Sequence, residues 1–361
     1  MSKGRVLIGM SGGVDSSVAA GLLLEQGYEV VGSHMKLVHL TNGGAEGGCC
    51  GYGAREDART VAAALGVPFE VHDVSEEFEE TVIADFFAEH EAGRTPNPCV
   101  RCNEHIKFGA FLRHADELDC GFVATGHYAR AERTAGGRWR LLKGADRTKD
   151  QSYVLHMLGQ RQLARALFPL GGLAKVETRA EAARLGLGAV ASKPDSQEIC
   201  FVPGCGHAAF LEEFVPRLVG EGEVVDPEGR VLAHHRGSFR YTIGQRRSLG
   251  VSTGEPNYVL DIDPVRNQVV VGAEELLAGR GLVADGLSWV AGEPPSDGPF
   301  EAEVQIRYRG EAAPAVVEVQ GETTRVEFLV PQRAIAPGQS AVLYRGHEVL
   351  GGGRVLRALR D

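Results

Sequence analysis

The opening segment of the chain restricts the fold more than any other part. Gly4-Arg5-Val6-Leu7-Ile8-Gly9 is a short apolar run of the kind that forms a strand buried on both faces. Val18, Ala19, Leu22 and Leu23 then recur at helical spacing, and Gly27 stands where a helix C-cap belongs. Between them lies Met10-Ser11-Gly12-Gly13-Val14-Asp15-Ser16-Ser17. A turn from a first strand into a first helix leaves backbone N–H groups unpaired at the positive end of the helix dipole, which favours an anion. Gly12 and Gly13 let the backbone approach a phosphate with no Cβ in the way. Ser11, Ser16 and Ser17 add hydroxyl donors. Asp15 would be repelled by phosphates unless a cation bridges them, which points to Mg²⁺ held between Asp15 and a polyphosphate. No Gly-Lys-Ser/Thr follows, so this is not a Walker A loop, and the dinucleotide Gly-x-Gly-x-x-Gly fingerprint is also absent. The plain competitor is an ordinary Gly/Ser turn. Its place after a strand and before a helix favours phosphate binding.

The string Ser11-Gly12-Gly13-Val14-Asp15-Ser16 resembles the PP-loop of the ATP pyrophosphatases. That resemblance implies cleavage of ATP to AMP and pyrophosphate, with a carbonyl oxygen adenylated for displacement. It is silent about the substrate. The chain beyond the loop reads as a parallel α/β sheet. Residues 28–35, 69–72 and 122–128 read as strands, and 55–65 and 76–90 as helices. Such alternation gives right-handed crossovers, with ligands at the carboxyl ends of the strands, where the glycine loop and Gly126-His127 fall. Residues 139–144 read as a hairpin strand, and 149–158 and 178–185 as helices.

With 361 residues the chain is long enough for two or three domains. Met1-Ser2-Lys3-Gly4 runs straight into a strand, so no leader is expected, and no apolar run approaches a membrane span. Seven cysteines, an odd number without a secretory signal, suit a reducing cytoplasm. The net charge of −10 argues mildly against nucleic acid as a partner. Residues 233–250, however, carry Arg236, Arg240, Arg246 and Arg247 with Phe239 and Tyr241 interleaved and no acid. This stretch reads as an RNA-facing patch or as a solvated hairpin, and composition alone favours the hairpin. From about Gly220 short β-rich runs alternate with turn residues, which indicates small β-domains, the last a barrel or sandwich.

Cys99 and Cys102 stand three residues apart, after Pro96 and Pro98, at the start of a helix whose apolar face is Phe108, Phe111, Leu112 and Ala115. Three readings compete: a redox pair, half of a zinc site, or a reactive or cluster-binding pair that needs a further partner. Cys200, between Ile199 and Phe201, taken alone reads as a core thiol, but its polar, turn-forming flanks suit a loop. Cys49-Cys50 read as ordinary thiols in a Gly-rich loop, and Cys205 has no evident role.

Taken together, the ordered motifs resemble the tRNA-specific 2-thiouridylases over essentially the whole chain. They are the glycine loop, Gly93-Arg94-Thr95-Pro96-Asn97-Pro98 before Cys102-Asn103, Ala124-Thr125-Gly126-His127-Tyr128, Lys149-Asp150-Gln151-Ser152-Tyr153, Ile199-Cys200-Phe201, Thr242-Ile243-Gly244-Gln245-Arg246-Arg247, Arg307-Tyr308-Arg309 and Pro337-Gly338-Gln339-Ser340-Ala341. The resemblance implies an α/β fold: a parallel-sheet PP-loop domain of the adenine nucleotide alpha hydrolase-like kind at 1–205, a small central β-rich tRNA-binding domain at 206–280 and a C-terminal β-barrel domain at 281–361. It implies that O2 of the wobble uridine is adenylated and that sulfur then displaces AMP at C2. Gly9, Met10, Ser11, Gly12, Gly13, Val14, Asp15, Ser16, Met35 and Gly126 would hold ATP, with Mg²⁺ at Asp15. Asn97, Pro98 and Cys99 would lie against the target base. Cys102 and Cys200 match the catalytic and persulfide-carrying cysteines, linked by a disulfide bond after sulfur transfer. His127, Lys149, Asp150, Gln151, Arg307, Tyr308 and Gln339 match positions that contact tRNA or the active site. The implied partners are tRNA and a persulfide sulfur donor such as a cysteine desulfurase, and no membrane. Within that family the position of Cys99 is also held by aspartate. Here Cys99, Cys102 and Cys200 could give three thiolates to an iron–sulfur cluster with one open iron, or Cys99 could be a spectator. Two other classes compete: a PP-loop enzyme that amidates or ligates a small molecule, and a non-catalytic RNA-binding or sulfur-carrier protein.

Overall fold

A computed structural model describes residues 2–38, 52–194, 199–202, 206–252 and 254–360. Cys49, Cys50, Cys205 and residues 195–198 lie outside the described residues. The first sheet is formed by β1 (Arg5–Gly9), β2 (Glu29–Lys36), β3 (Phe69–Asp73) and β4 (Phe122–Ala124), after which the chain makes the hairpin β5 (Ala129–Arg133) and β6 (Trp139–Lys143) and returns as β7 (Ala166–Leu167). Its order is β3-β2-β1-β4-β7, and every pairing is parallel. Val6, Leu7 and Ile8 of the central strand are fully buried. Helices cover both faces, so an uninterrupted apolar run is what β1 requires. Leu7 joins one core with Phe108, Phe111 and Tyr153, while Val6 and Ile8 join the other with Val18, Leu23 and Ala62.

Two β-rich units follow. β8 (Gly222–Val225), β9 (Val231–His235), β10 (Tyr258–Asp263) and β11 (Gln268–Gly272) form a small sheet of order β10-β11-β8-β9. β12 (Ala278–Trp289), β13 (Phe300–Gln305), β14 (Ala313–Gln320), β15 (Thr323–Arg333), β16 (Ser340–Arg345) and β17 (Glu348–Leu359) run β12-β15-β14-β13-β16-β17, and β12 pairs with β17 to close a barrel. The hairpin β5–β6 from the first part of the chain pairs β6 with β17, so the barrel sheet is continuous with the part of the chain that carries the parallel sheet.

Several sequence expectations are corrected. The stretch 149–158 is not a long helix: the Asp150 carboxylate accepts from Gly144 N, Ser152 N and Ser152 Oγ, and helical structure is confined to the single turn Ser152–Leu155. The strand expected at 122–128 ends at Ala124. The hairpin expected within 233–250 is instead β8–β9, and the arginines stand beyond it. Arg236, Arg240, Arg246 and Arg247 are exposed. Phe239, however, is buried in a core cluster with Phe201 and Phe210, so it offers no stacking platform.

The fold also buries neutral histidines. Burial and its neighbour His207 hold His90 down to about 3, and burial holds His156 down to about 4. An unfolded chain binds these protons near the ordinary 6.5. Stability is therefore flat above that value and is lost as pH falls from about 6.5 toward 4. Melting temperatures taken across that window should fall, and the His90→Gln variant should show a shallower fall.

Candidate active site between the parallel sheet and the barrel

The glycine loop leaves the carboxyl end of β1 and enters α1 (Val14–Glu25), capped by Gly13 with no side chain bonded to the first-turn N–H groups. Gly12 has φ +73°, and a Cβ there would lie 2.3 Å from Ala54 O, so only glycine fits. Ser16 Oγ lies 3.2 Å from Ser11 N, and Ser17 Oγ donates to Gly13 O at 2.8 Å, which fixes the loop. Gly126, past the end of the neighbouring β4, packs directly on the loop: a Cβ would stand 2.8 Å from Ser16 N. Gly126→Ala should therefore displace the start of α1, at about 1–3 kcal/mol. Calorimetric titration of ATP should show about tenfold or greater weakening, and unchanged affinity would remove the loop from the nucleotide site.

Asn97 Oδ1 accepts from Cys99 N at 3.2 Å and starts a helix at Pro98, with proline at its first position. That helix continues to 117, and its stretch Cys102–Ala110 is π-helical. Cys99 is exposed in the first turn and Cys102 is buried. The segment before it is clamped to the barrel: Thr95 N donates to Pro337 O, and Gln339 Nε2 donates to Thr95 O, each at 2.8 Å. Gly338 meets Thr95 so closely that a Cβ would be 2.8 Å from its nitrogen.

These elements enclose a chamber of about 350 Å³. The loop residues Gly9, Met10, Ser11, Asp15 and Ser16 line it, and so do Cys99, Cys102 and Cys200. Met35, Pro98, Gly126, His127 and Gln151 complete the expected residues on its wall. A second, wider cleft of about 1180 Å³ shares Ser11, Asp15 and Gln151 with the chamber and opens toward the barrel. Gly13, Val14, Lys149, Asp150 and Tyr308 line this cleft. Gln151 is fixed at the junction, since its Oε1 accepts from Tyr128 N at 2.9 Å.

Two expected tRNA positions are placed elsewhere. Arg307 Nη2 donates to Ile243 O at 3.2 Å and Ala334 O at 2.7 Å, tying the middle sheet to the barrel, and Gln339 is the clamp on Thr95. Burial lowers the pKa of Arg307. His127 is deeply buried beside Thr125 Oγ1 at 2.7 Å, and burial followed by the positive Lys107 keeps it neutral. Tyr308 has its pKa raised by burial, and Cys99 is among the groups that act on it.

Cys99, Cys102, Cys120 and Cys200 stand as thiols rather than in disulfides. Cys102 belongs to an apolar cluster with Phe78, Phe86 and Phe201, against which Cys200 packs, whereas Cys99 is no member of it. Among the described residues no group of three or more His, Cys, Asp or Glu side chains is arranged to hold a metal ion. The three-thiolate cradle expected for an iron–sulfur cluster is thus not formed. Cys99 is exposed at the helix start, outside the apolar cluster that Cys102 and Cys200 share.

The sequence reading missed the groups around Asp15. Lys175 Nζ lies 2.7 and 2.8 Å from the two Asp15 oxygens, and the Tyr128 hydroxyl donates to Oδ1 at 2.8 Å. Lys193 Nζ reaches Gly12 O at 3.3 Å and pairs with Asp57. Both lysines are distant in sequence from the loop, and neither carries a local motif. Only the register of β4 beside β1 hints at Tyr128.

A family model described as the tRNA methyl transferase HUP domain matches residues 4–204, the tRNA methyl transferase PRC-barrel domain matches 208–273, and the aminomethyltransferase beta-barrel domain matches 279–355. The tRNA-specific 2-thiouridylase MnmA of Heliobacterium modesticaldum is 51% identical over 99% of this chain and 94% of its own length. Its namesakes from Acidothermus cellulolyticus and Geobacter metallireducens are 49% and 48% identical, each over 99% of this chain and 98% of theirs. The chain belongs to the tRNA-specific 2-thiouridylase family. For a member of that family, the three matched regions correspond to the parallel sheet, the small sheet and the closed barrel described above. No helix among the described residues is long and apolar enough to cross a membrane.

Proposed function

We propose that this protein catalyses ATP-dependent 2-thiolation of the wobble uridine of tRNA. One observation carries the reading: a single chamber is lined both by the glycine loop and by Cys102 and Cys200. A phosphate site alone would suit any PP-loop ligase. Two thiols on the same wall suit a reaction in which an activated carbonyl carbon receives sulfur.

Gly9 to Ser16, with Met35 and Gly126, bind ATP, and Asn97, Pro98 and Cys99 position the base. The uridine O2 attacks the α-phosphorus, forming the O–P bond as the bond to pyrophosphate breaks. The terminal sulfur of a persulfide on Cys200 then attacks C2, and the C2–O bond breaks with its electron pair leaving on AMP. The Cys102 sulfur attacks the Cys200 sulfur, a Cys102–Cys200 disulfide forms, and the transferred sulfur keeps the pair as C2=S. An external thiol reduces that disulfide before the next turnover. The persulfide comes from a donor such as a cysteine desulfurase. Asp15 is a lone carboxylate on the loop and fits a Mg²⁺ shared with ATP phosphates, where it would supply charge neutralisation. Lys175 balances Asp15 in the structure described. Lys149, Gln151 and Tyr308, on the wider cleft, and the exposed Arg236, Arg246 and Arg247 offer contacts to RNA. The soluble, cytoplasmic compartment that a reduced thiol pair requires accords with this chemistry.

The reading is tested by following pyrophosphate with and without unmodified tRNA. Release should rise with tRNA and match AMP formation one to one after sulfur transfer. It should weaken with added salt, because tRNA is held by local cations on an acidic protein. Release that ignores tRNA but responds to a small carboxylic acid would move the chain to the ligase class.

A further inference from the structure

We propose that Lys107 is a catalytic residue, the cation that holds the anionic sulfur nucleophile against C2 of the activated base; this rests on the reading above. The argument begins with helix geometry. In an α-helix residues five apart differ by about 140° around the axis. In a π-helix the ladder closes between residues five apart, so they stand nearly above one another. Cys102 opens the π-helical stretch Cys102–Ala110, and Lys107 is five residues on. The local widening thus puts Cys102 and Lys107 on one side of the helix. π-helical turns are frequent at functional sites.

The chamber supports the same assignment. Among the described residues lining it, Lys107 is the only lysine or arginine, and Cys102, Cys200 and Lys107 share its wall. His127 is kept neutral by burial and by Lys107 itself, so it supplies no positive charge. Lys175 is turned to Asp15. A persulfide sulfur is anionic when it attacks, and a largely apolar pocket of Met35, Leu37, Phe78, Val82 and Phe201 would otherwise disfavour it. One fixed cation at that point removes the penalty and favours the transition state, where the sulfur, the base and the departing AMP meet. The bonds made and broken are those of the sulfur-transfer step given above, and Lys107 changes no oxidation state.

The test is a single-turnover reaction of the whole protein, loaded with persulfide, with unmodified tRNA and ATP labelled at the α-phosphate. In Lys107→Met the labelled AMP–tRNA adduct should accumulate while 2-thiouridine formation slows by about a hundredfold, the range for loss of one charge-stabilising donor. Lys107→Arg should recover part of the rate and clear the adduct. Circular dichroism melts of both variants should match the parent. Loss of pyrophosphate release in step with thiolation, with no adduct, would assign Lys107 to the nucleotide and overturn the proposal. Unchanged thiolation in Lys107→Met, or no recovery with Lys107→Arg despite an intact fold, would do the same. Failure of the broader reading is distinguishable, because the parent protein itself would then release no tRNA-dependent pyrophosphate.

Discussion

Cys102→Ala, loaded with persulfide and given ATP and unmodified tRNA, is expected to stop with the tRNA covalently attached to Cys200. In the relay, sulfur reaches C2 while still bonded to Cys200, and only the Cys102 thiol can cut that bond. Cys102 and Cys200 meet on one apolar wall, with Cys102 buried beside Phe78, Phe86 and Phe201, so bulk thiols reach the bond slowly. Gel electrophoresis should show a protein–tRNA band that dithiothreitol dissolves, and the released tRNA should carry 2-thiouridine. Cys200→Ala should give no such band, and its thiolation should fall by roughly 10³-fold or more, as when a nucleophile is removed. Cys99→Ser should form no lasting protein–tRNA band, because Cys102 is still present to cut the bond and Cys99 lies exposed at the helix start, outside that cluster. A band that persists in Cys200→Ala would place the sulfur on another cysteine.

The second large effect is on stability. Glu89 is almost wholly buried, 2% exposed, on the helix Ala84–Glu91. Its carboxylate accepts from Arg94 Nε at 2.7 Å and from Arg354 Nη1 of β17 at 2.8 Å. Arg354 also pairs with Asp285 of β12 at 3.5 Å, and Arg101, next to Cys102, pairs with Asp85 at 3.4 Å. This network ties the barrel to the segment that delivers Cys99 and Cys102. Glu89→Ala leaves Arg94 and Arg354, each about a third exposed, without their shared anion, at a cost of about 1–3 kcal/mol. The first transition in a urea melt should move to markedly lower denaturant. Arg94→Ala, which leaves Arg354 on the carboxylate, should cost less. Equal midpoints for Glu89→Ala and the parent would show that the network contributes little.

The core of the parallel sheet was legible because β1 is a continuous apolar run and β1, β2 and β3 are each followed by a helix, whereas the two-residue β7 carries no such signal. The loop was legible because glycine, serine and aspartate at that turn have few other uses. The closing strand β17 was not. Gly351-Gly352-Gly353 looks like a turn in sequence, yet a Cβ at Gly353 would lie 2.3 Å from Asp285 O, so glycine is needed where β12 and β17 cross closely. The helix expected at 149–158 failed because local side-chain bonds from Asp150 compete with the backbone ladder. The cysteines were found by their motifs, and the division among them was not. Burial of Cys102 and exposure of Cys99 follow from how the helix start packs on Phe201, which no spacing rule conveys. Lys175, at the start of the helix Lys175–Arg184, and Lys193, past the helix Gly188–Ala191, reach the loop from far along the chain.

Nucleoside mass spectrometry of tRNA treated with the purified protein bears most directly on the central claim. The protein, ATP, Mg²⁺, a cysteine desulfurase with ³⁴S-labelled cysteine and unmodified tRNA are incubated, and the RNA is digested. Labelled 2-thiouridine should appear at the wobble position, in amounts equal to the AMP formed. ATP cleaved to AMP and pyrophosphate with no 2-thiouridine, from either the persulfide donor or free sulfide, would contradict the account.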